Sequence, residues 1–498
     1  MTSPNCRFYI TAMGKGVIRL SRAVCFLWIV GYLISAFIPA AYAEDPVGRV
    51  VSDIDPLRSV LVLPPSLDER REIYGLYDDS PLLVLNYLDG MIRQHRELTN
   101  LLEKNGVRTL NVIDLLENAV SNARRLGKLE AALAEMFPDE FPRLKDRIDT
   151  ITAQVLLGRS AQFYFQYDEN GSLDPLIPLC GAFIYCRDFA VSTPRGIILT
   201  NSRYRGRKPE HRLGRFMFRF ADELRGHPIV FDAEAEGVRC EGGDIIVQDE
   251  RTILMGVGNR SDREAARKIA QKLGMDIIGV SMPPYESPSG ANLAILHLDT
   301  VFNLVDRKKA LTVPYFFFKK YGADNPVAGY LKAIDSQLKK KLEKGELDFP
   351  SSLKTAIDTI PKVGWLTLFR AGTGEATELG EKLGDYLVGK GYEIIPVGGE
   401  RGDLSEDQYL DERVLYELSL QGCNVVQLAP GRVIAFAHNT FTNGALRQRG
   451  IEVLTIEGKY LADSLGGPHC LTMPLVRNGD TVPISDLKES PPEDQPNN

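Results

Sequence analysis

Cys470 ends the stretch Gly466-Gly467-Pro468-His469-Cys470, where a glycine pair leaves little bulk between the backbone and a ligand. Two earlier stretches offer partners for it, Cys240-Glu241-Gly242-Gly243-Asp244 and His297-Leu298-Asp299. A thiol can attack an electrophilic carbon, an imidazole can carry protons, and carboxylates can grip a cation. Singly these residues say little, since a lone cysteine is usually a small buried hydrophobe and a lone histidine a satisfied core residue. In this order and company they point to a thiol nucleophile acting on a cationic substrate.

The elements that must position them follow from periodicity. Residues 58–63 read as a first strand, which Pro64-Pro65 ends. Leu88, Met91, His95, Leu98 and Leu102 share one helical face, with His95 as a core residue, and Asn105-Gly106 stops that helix. Residues 107–112 form a short strand, residues 114–147 an inserted helical unit, and residues 160–184 a hairpin turning at Asn170-Gly171. A unit of strand, polar turn, helix and strand then recurs from residues 196, 252 and 432, which suggests a cyclic or stacked αβ repeat. Residues 319–361 interrupt it with a Lys-rich helix near 331–347, whose Lys339-Lys340-Lys341 run is a solvated face. The pattern resumes with a strand at 365–369, a helix at 378–390 and a strand at 393–397.

With 498 residues the chain exceeds one ordinary core. Its net charge of −7 supplies no basic footprint, which argues against nucleic acid as a partner. Arg19 and Arg22 precede an apolar run at 23–38, and Ala41-Tyr42-Ala43 offers a small-x-small cleavage site. Residues 1–43 therefore read as a signal peptide, with translation starting at Met1 or Met13, and the mature chain as exported to the periplasm or beyond. The run is short for a spanning helix, so no membrane partner is expected after cleavage. The acidic, Pro-rich residues 479–498 read as a disordered tail. Cleavage leaves Cys180, Cys186, Cys240, Cys423 and Cys470, an odd set with at least one free thiol. No spacing among them suits a metal, and no cofactor is expected. The other four cysteines could pair or lie buried as thiols.

Several of these stretches resemble the guanidine-modifying, or amidinotransferase, superfamily, and most closely its arginine deiminases. The resemblance is carried by Cys186-Arg187-Asp188, Glu241-Gly242-Gly243-Asp244, Asn259-Arg260-Ser261 and His297-Leu298-Asp299-Thr300-Val301-Phe302. It continues through Ile395-Pro396-Val397-Gly398-Gly399, Leu428-Ala429-Pro430-Gly431 and Asn439-Thr440-Phe441-Thr442-Asn443 to Cys470. It spans nearly all of residues 55–478 and implies an α/β fold, a five-fold pseudosymmetric α/β propeller with helical insertions at about 82–157 and 319–361. It also implies roles. Cys470 attacks the guanidinium carbon, His297 carries protons, and Glu241 orients the imidazole. Asp188 and Asp244 grip the guanidinium by charge-assisted hydrogen bonds, and Asp299, Arg260 and Arg207 complete the substrate contacts.

Two positions depart from the arginine deiminase pattern. Ala182 stands where that family usually has Asn, and Leu465 where it usually has Arg, both at the end that meets the substrate's α-carboxylate. A free α-carboxylate would thus be left poorly paired at that end. The substrate is a small guanidino compound or an arginine side chain, and the product a ureido compound plus ammonia. An amidinotransferase using the same Cys470 intermediate and a non-catalytic guanidino-binding protein are the alternatives, and a homo-oligomer is compatible with either.

Overall fold

The structure, a computed structural model, describes residues 49–65, 81–159, 165–167, 173–175, 181–204, 207–283, 295–322, 324–344 and 354–477. The expected signal segment, the tail beyond 478, the Asn170-Gly171 turn and Cys180 lie outside these residues. No helix among the described residues is long and apolar enough to cross a membrane.

Strand β1 (Leu57–Val62) pairs in parallel with β2 (Arg108–Asn111), and the helix α1 (Pro81–Lys104) lies between them in sequence. Leu88, Met91, Leu98 and Leu102 form the buried face of α1, and His95 is buried there too, its pKa lowered by burial to about 4. Asn111 caps α2 (Val112–Arg125) by accepting from Ile113 N–H, so the second strand passes straight into a helix. α3 (Leu129–Met136) packs beside α2. Strands β3 (Phe165–Tyr167) and β4 (Leu173–Pro175) then form an antiparallel hairpin.

From here one three-stranded arrangement recurs: a short leading strand lies antiparallel to a middle strand, which lies parallel to a third. The first set is β5 (Ala190–Thr193), β6 (Gly196–Leu199) and β7 (Ile229–Asp232). The second is β8 (Ile245–Val247), β9 (Thr252–Val257) and β10 (Asp276–Ser281). Between its last two strands, Asp262 caps α4 (Arg263–Leu273), whose Ala265, Ala266, Ile269, Ala270 and Leu273 are buried, and Gly274 ends it at φ +61°. β11 (Phe302–Asp306) and β12 (Lys309–Thr312) open the third set. α5 (Pro326–Glu343) follows. β13 (Trp365–Phe369) and β14 (Ala376–Lys382) extend the second sheet on β10, and β15 (Glu393–Pro396) completes the third beside β12. The fourth set is β16 (Val426–Ala429), β17 (Arg432–Phe436) and β18 (Glu452–Ile456). In the fifth, β19 (Met473–Arg477) leads and pairs antiparallel with β1, so the two ends of the described chain share one sheet. Middle strands such as Ile197-Ile198-Leu199 and Ile253-Leu254-Met255 are buried throughout, as strands covered on both faces must be.

The expected helix over 378–390 is corrected. Residues Ala376–Lys382 pair with β13, Thr367 opposite Glu378, and only Leu383–Gly389 is helical. Gly380 takes a left-handed φ of +65°, which suits a helix interior badly. Lys382 is buried and donates Nζ to the carbonyls of Phe316 and Pro361, which anchors the end of the strand. Strand pairing outweighs a helix-friendly composition here. Cys186, Cys240, Cys423 and Cys470 are all free, buried thiols.

Candidate active site

Each leading strand is entered through a short turn, and these turns carry Asp188, Asp244, Asp299, Asn424 and Cys470, one to three residues ahead of the strand. The turns are bonded into a closed ring. Gly243 N–H donates to Asp188 Oδ1 (3.2 Å), and Leu298 N–H donates to Asp244 Oδ1 (3.0 Å). Asn424 Nδ2 donates to the Asp299 carbonyl (3.2 Å), and Cys470 N–H donates to Asn424 Oδ1 (3.0 Å). Arg187 N–H closes the circuit on the Cys470 carbonyl (3.1 Å). Turns that lie far apart in sequence are thereby held to one another, four of the five links through main-chain N–H donors and one through the Asn424 amide.

Bare glycines make the approach possible. A Cβ on Gly242 would meet the Arg187 carbonyl oxygen at 1.9 Å, and one on Gly243 would meet His297 Nδ1 at 2.7 Å. His297 Nε2 sits 2.8 Å from Glu241 Oε2, which leaves Nδ1 facing the interior, 3.8 Å from Asp188 Oδ1. Burial alone would lower the imidazole pKa, but the Asp188 carboxylate, the Glu241 hydrogen bond and Asp244 raise it to about 9. Glu241 is wholly buried, yet its pKa falls well below the carboxylate range. The bond and charge of His297, with Arg260 and Arg207, outweigh its desolvation. Ser202 Oγ donates to its other oxygen at 2.6 Å.

The two acids expected to grip a cation differ. Burial is the largest influence on Asp188, but His297 and Arg207 hold its pKa low. Burial lifts Asp244 to about 7, even though Ser261 Oγ (2.6 Å) and Leu298 N–H donate to it. Gly256 must be bare for Asp244 to fit, since a Cβ there would fall 2.3 Å from Asp244 Oδ1.

Cys470 Sγ receives Asn424 Nδ2 at 3.1 Å and lies 3.6 Å from Asp299 Oδ2. His469 Nδ1 holds that same oxygen at 2.8 Å. Burial, then the Asp299 and Asp188 carboxylates, push the thiol well above its ordinary range. The turn before Cys470 is tied down by Tyr185, whose hydroxyl donates to the Ser464 carbonyl. Arg187, buried beside Asp188, pairs with Asp53 at 3.1 Å.

Cys470, His297, Glu241, Asp188, Asp244 and Asp299 are thus brought together. Arg207 and Arg260 are present as well, turned onto the site's own acids. Arg207 donates to Asp188 Oδ2 at 2.7 Å and to Glu210 at 2.9 Å, while Arg260 donates to Glu241 at 2.9 Å and stacks on Tyr204. Leu465 is half-buried with a left-handed φ of +69°, and Ala182 lies in the helical turn Gly181–Ile184. Atoms of Asp188, Glu241 and His297 lie within 4.8 Å of one another, a spacing that could hold a cation. A charged imidazolium has no lone pair to offer a metal, however, and both carboxylates already take arginine hydrogen bonds.

Sequence reasoning missed Asn424, Ser202, Ser261 and His469. Ser261 and His469 stood inside quoted motifs without a role, whereas Asn424 and Ser202 carry no local signal.

The family model described as arginine deiminase matches residues 166–477, which takes in all five turns. The arginine deiminase of Mycoplasma capricolum is 26% identical over 460 residues, covering 86% of this chain and 97% of its own. That of Metamycoplasma arthritidis is 24% identical over 452 residues (86% and 96%), and that of Clostridium perfringens 25% over 470 residues (87% and 99%). Among solved structures, an amidinotransferase of saxitoxin biosynthesis from Microseira wollei aligns over 87% of this chain and 98% of its own, at 14% identity and a TM-score of 0.43. The match over most of the chain, with every one of the converging turns inside it, makes this protein a member of the arginine deiminase family.

Proposed function

We propose that this chain is an exported guanidine hydrolase that uses Cys470 to convert a guanidino compound to a ureido product and ammonia. The observation that supports it is the convergence of one thiol, one Glu-bound imidazolium and two aspartates on a ring of turns. Asp188 and Asp244 hold the planar cation by paired charge-assisted hydrogen bonds. The bound cation draws the thiol proton off to solvent, and Sγ adds to the guanidinium carbon. His297 gives its proton to one NH₂ group, the C–N bond breaks, and ammonia leaves an amidino group on sulfur. Water then adds to that carbon, His297 takes the water's proton, and the C–S bond breaks to release the ureido product. Glu241 keeps the imidazole oriented and charged in between.

Arg207 and Arg260 are engaged with Asp188, Glu210 and Glu241, and Ala182 and Leu465 cannot donate side-chain hydrogen bonds to a carboxylate. This favours a guanidino compound whose far end carries no free α-carboxylate over plain L-arginine. The recurring strand sets and their closed circuit of turn bonds support reading the fold as a five-fold pseudosymmetric propeller with the site on its axis. Export rests on the N-terminal composition, and N-terminal sequencing of the mature chain should find Glu44 first.

The test is ureido-product formation from arginine, agmatine, methylated arginines and an arginine peptide. At least one should be turned over, and Cys470→Ser should abolish it without lowering the melting temperature. Wild-type-like turnover in that variant would remove Cys470 from the mechanism.

A further inference from the structure

At the ring position that holds Asp188, Asp244, Asp299 and Cys470 in the other four turns, the fourth turn has neither an acid nor a thiol. Its residue at the equivalent place is Asn424, and the loop of Cys470 is built around that side chain. The amide can face only one way. Cys470 N–H needs an acceptor, so Oδ1 faces it at 3.0 Å, and Nδ2 is left toward Sγ at 3.1 Å and the Asp299 carbonyl at 3.2 Å. Both Nδ2 protons are therefore used. A Cβ on Gly467 would lie 2.6 Å from Asn424 Cβ, O and Oδ1, which explains why the second glycine of the pair is bare. His469 N–H adds a bond to the Asn424 carbonyl at 3.4 Å.

Asp299 Oδ2, 3.6 Å from the sulfur, suits a protonated thiol and opposes a thiolate, as does burial. Besides the Gly467 backbone, Asn424 supplies the hydrogen bond that favours the charged sulfur. We propose that Asn424 is a catalytic residue whose Nδ2–H stabilises the Cys470 thiolate and fixes the direction of Sγ. The proposal rests on Cys470 as the nucleophile of the hydrolase above.

Asn424→Asp separates this role from a merely structural one. It keeps the shape and the oxygen that accepts Cys470 N–H, replaces the donor at the sulfur by an acceptor, and adds a negative charge there. Alkylation by iodoacetamide, located at Cys470 by peptide mass, is followed against pH beside steady-state turnover. The rate at neutral pH should fall about tenfold or more, and the midpoint of the profile should rise by about one pH unit. The turnover number should fall while KM stays within about twofold. A folded variant with unmoved alkylation and kcat overturns the proposal. Asn424→Ser, neutral and with a hydroxyl too short to reach the sulfur, is read beside it, and in its place should Asn424→Asp not fold. A shift in Asn424→Asp alone comes from the added charge and overturns the proposal. If the alkylation profile shifts while no guanidino compound is ever hydrolysed, the hydrolase reading fails and the role of Asn424 stands.

Discussion

Replacing Ser261 by alanine removes one oxygen, and two of the site's acids register the loss. Ser261 Oγ donates to Asp244 Oδ2 at 2.6 Å and accepts from Glu241 N–H at 3.1 Å. On the proposed mechanism Asp244 must be ionised to hold the substrate cation, and burial raises its carboxyl to about 7. The specificity constant should therefore fall as pH drops through that value. It should fall again above about 9, where His297 loses the proton it must give to the leaving amine. A hydrogen bond to a charged group is worth roughly 1.5–3 kcal/mol, so Ser261→Ala should move the acid limb up by about one to two pH units. For a shift of about 1.5 units on a two-limbed profile, kcat/KM drops about fifteenfold at pH 7 and about fourfold at pH 8. The bell narrows, and raising the pH recovers only part of the loss. The orphaned Glu241 N–H should also lower stability by about 1–3 kcal/mol, read from the melting temperature. Ureido-product assays across the pH range at constant ionic strength give the limbs. An acid limb that stays in place in a folded variant would show that Asp244 is not the group being titrated.

Two further predictions concern the imidazole and the substrate end. A Cβ at Gly243 would sit 2.7–2.9 Å from three atoms of the His297 side chain. Gly243→Ala should push the ring by somewhat under ~1 Å and cost on the order of 10²-fold in kcat. Its backbone is not left-handed, so the fold should survive, and unchanged kcat would mean that the ring's position is not critical. Wild type should discriminate little between arginine and agmatine or a C-terminally blocked arginine. Ala182→Asn with Leu465→Arg should raise the preference for free arginine about tenfold or more. A strong preference for L-arginine in the unmodified enzyme would overturn that substrate reading.

The sequence exposed the site wherever chemistry and local geometry coincide. Cys470, Asp244 and Glu241 stand beside glycines that close approach requires, so type and neighbourhood agree. Asn424 and Ser202 are invisible by the same logic, since either could belong to any turn and matters only for what it meets in space. Among elements, the helix at Arg263–Leu273 falls in the unit read from residue 252, and the strand at Trp365–Phe369 was legible at its own bounds. The leading strands β5, β8, β11 and β16 were not, because they are only three to five residues long and follow polar turns. The recurrence read from the sequence began one strand late for that reason. Ala376–Lys382 was misread because its exposed, helix-compatible residues reveal nothing of the partner strand.

The pairing of β19 with β1 also sets an order of assembly. The thiol lies three residues before β19, the last of the described strands to be synthesised. Until Met473–Arg477 docks on the edge of β1 across some four hundred residues of chain, the Arg187–Cys470 contact and the Asn424 bond cannot hold the sulfur in place. On the proposed mechanism, a growing or truncated polypeptide would thus carry both aspartates and the imidazole while lacking a positioned nucleophile. Docking of β19 would then be the step that completes the site, with the thiol unplaced until the rest of the fold can enclose it.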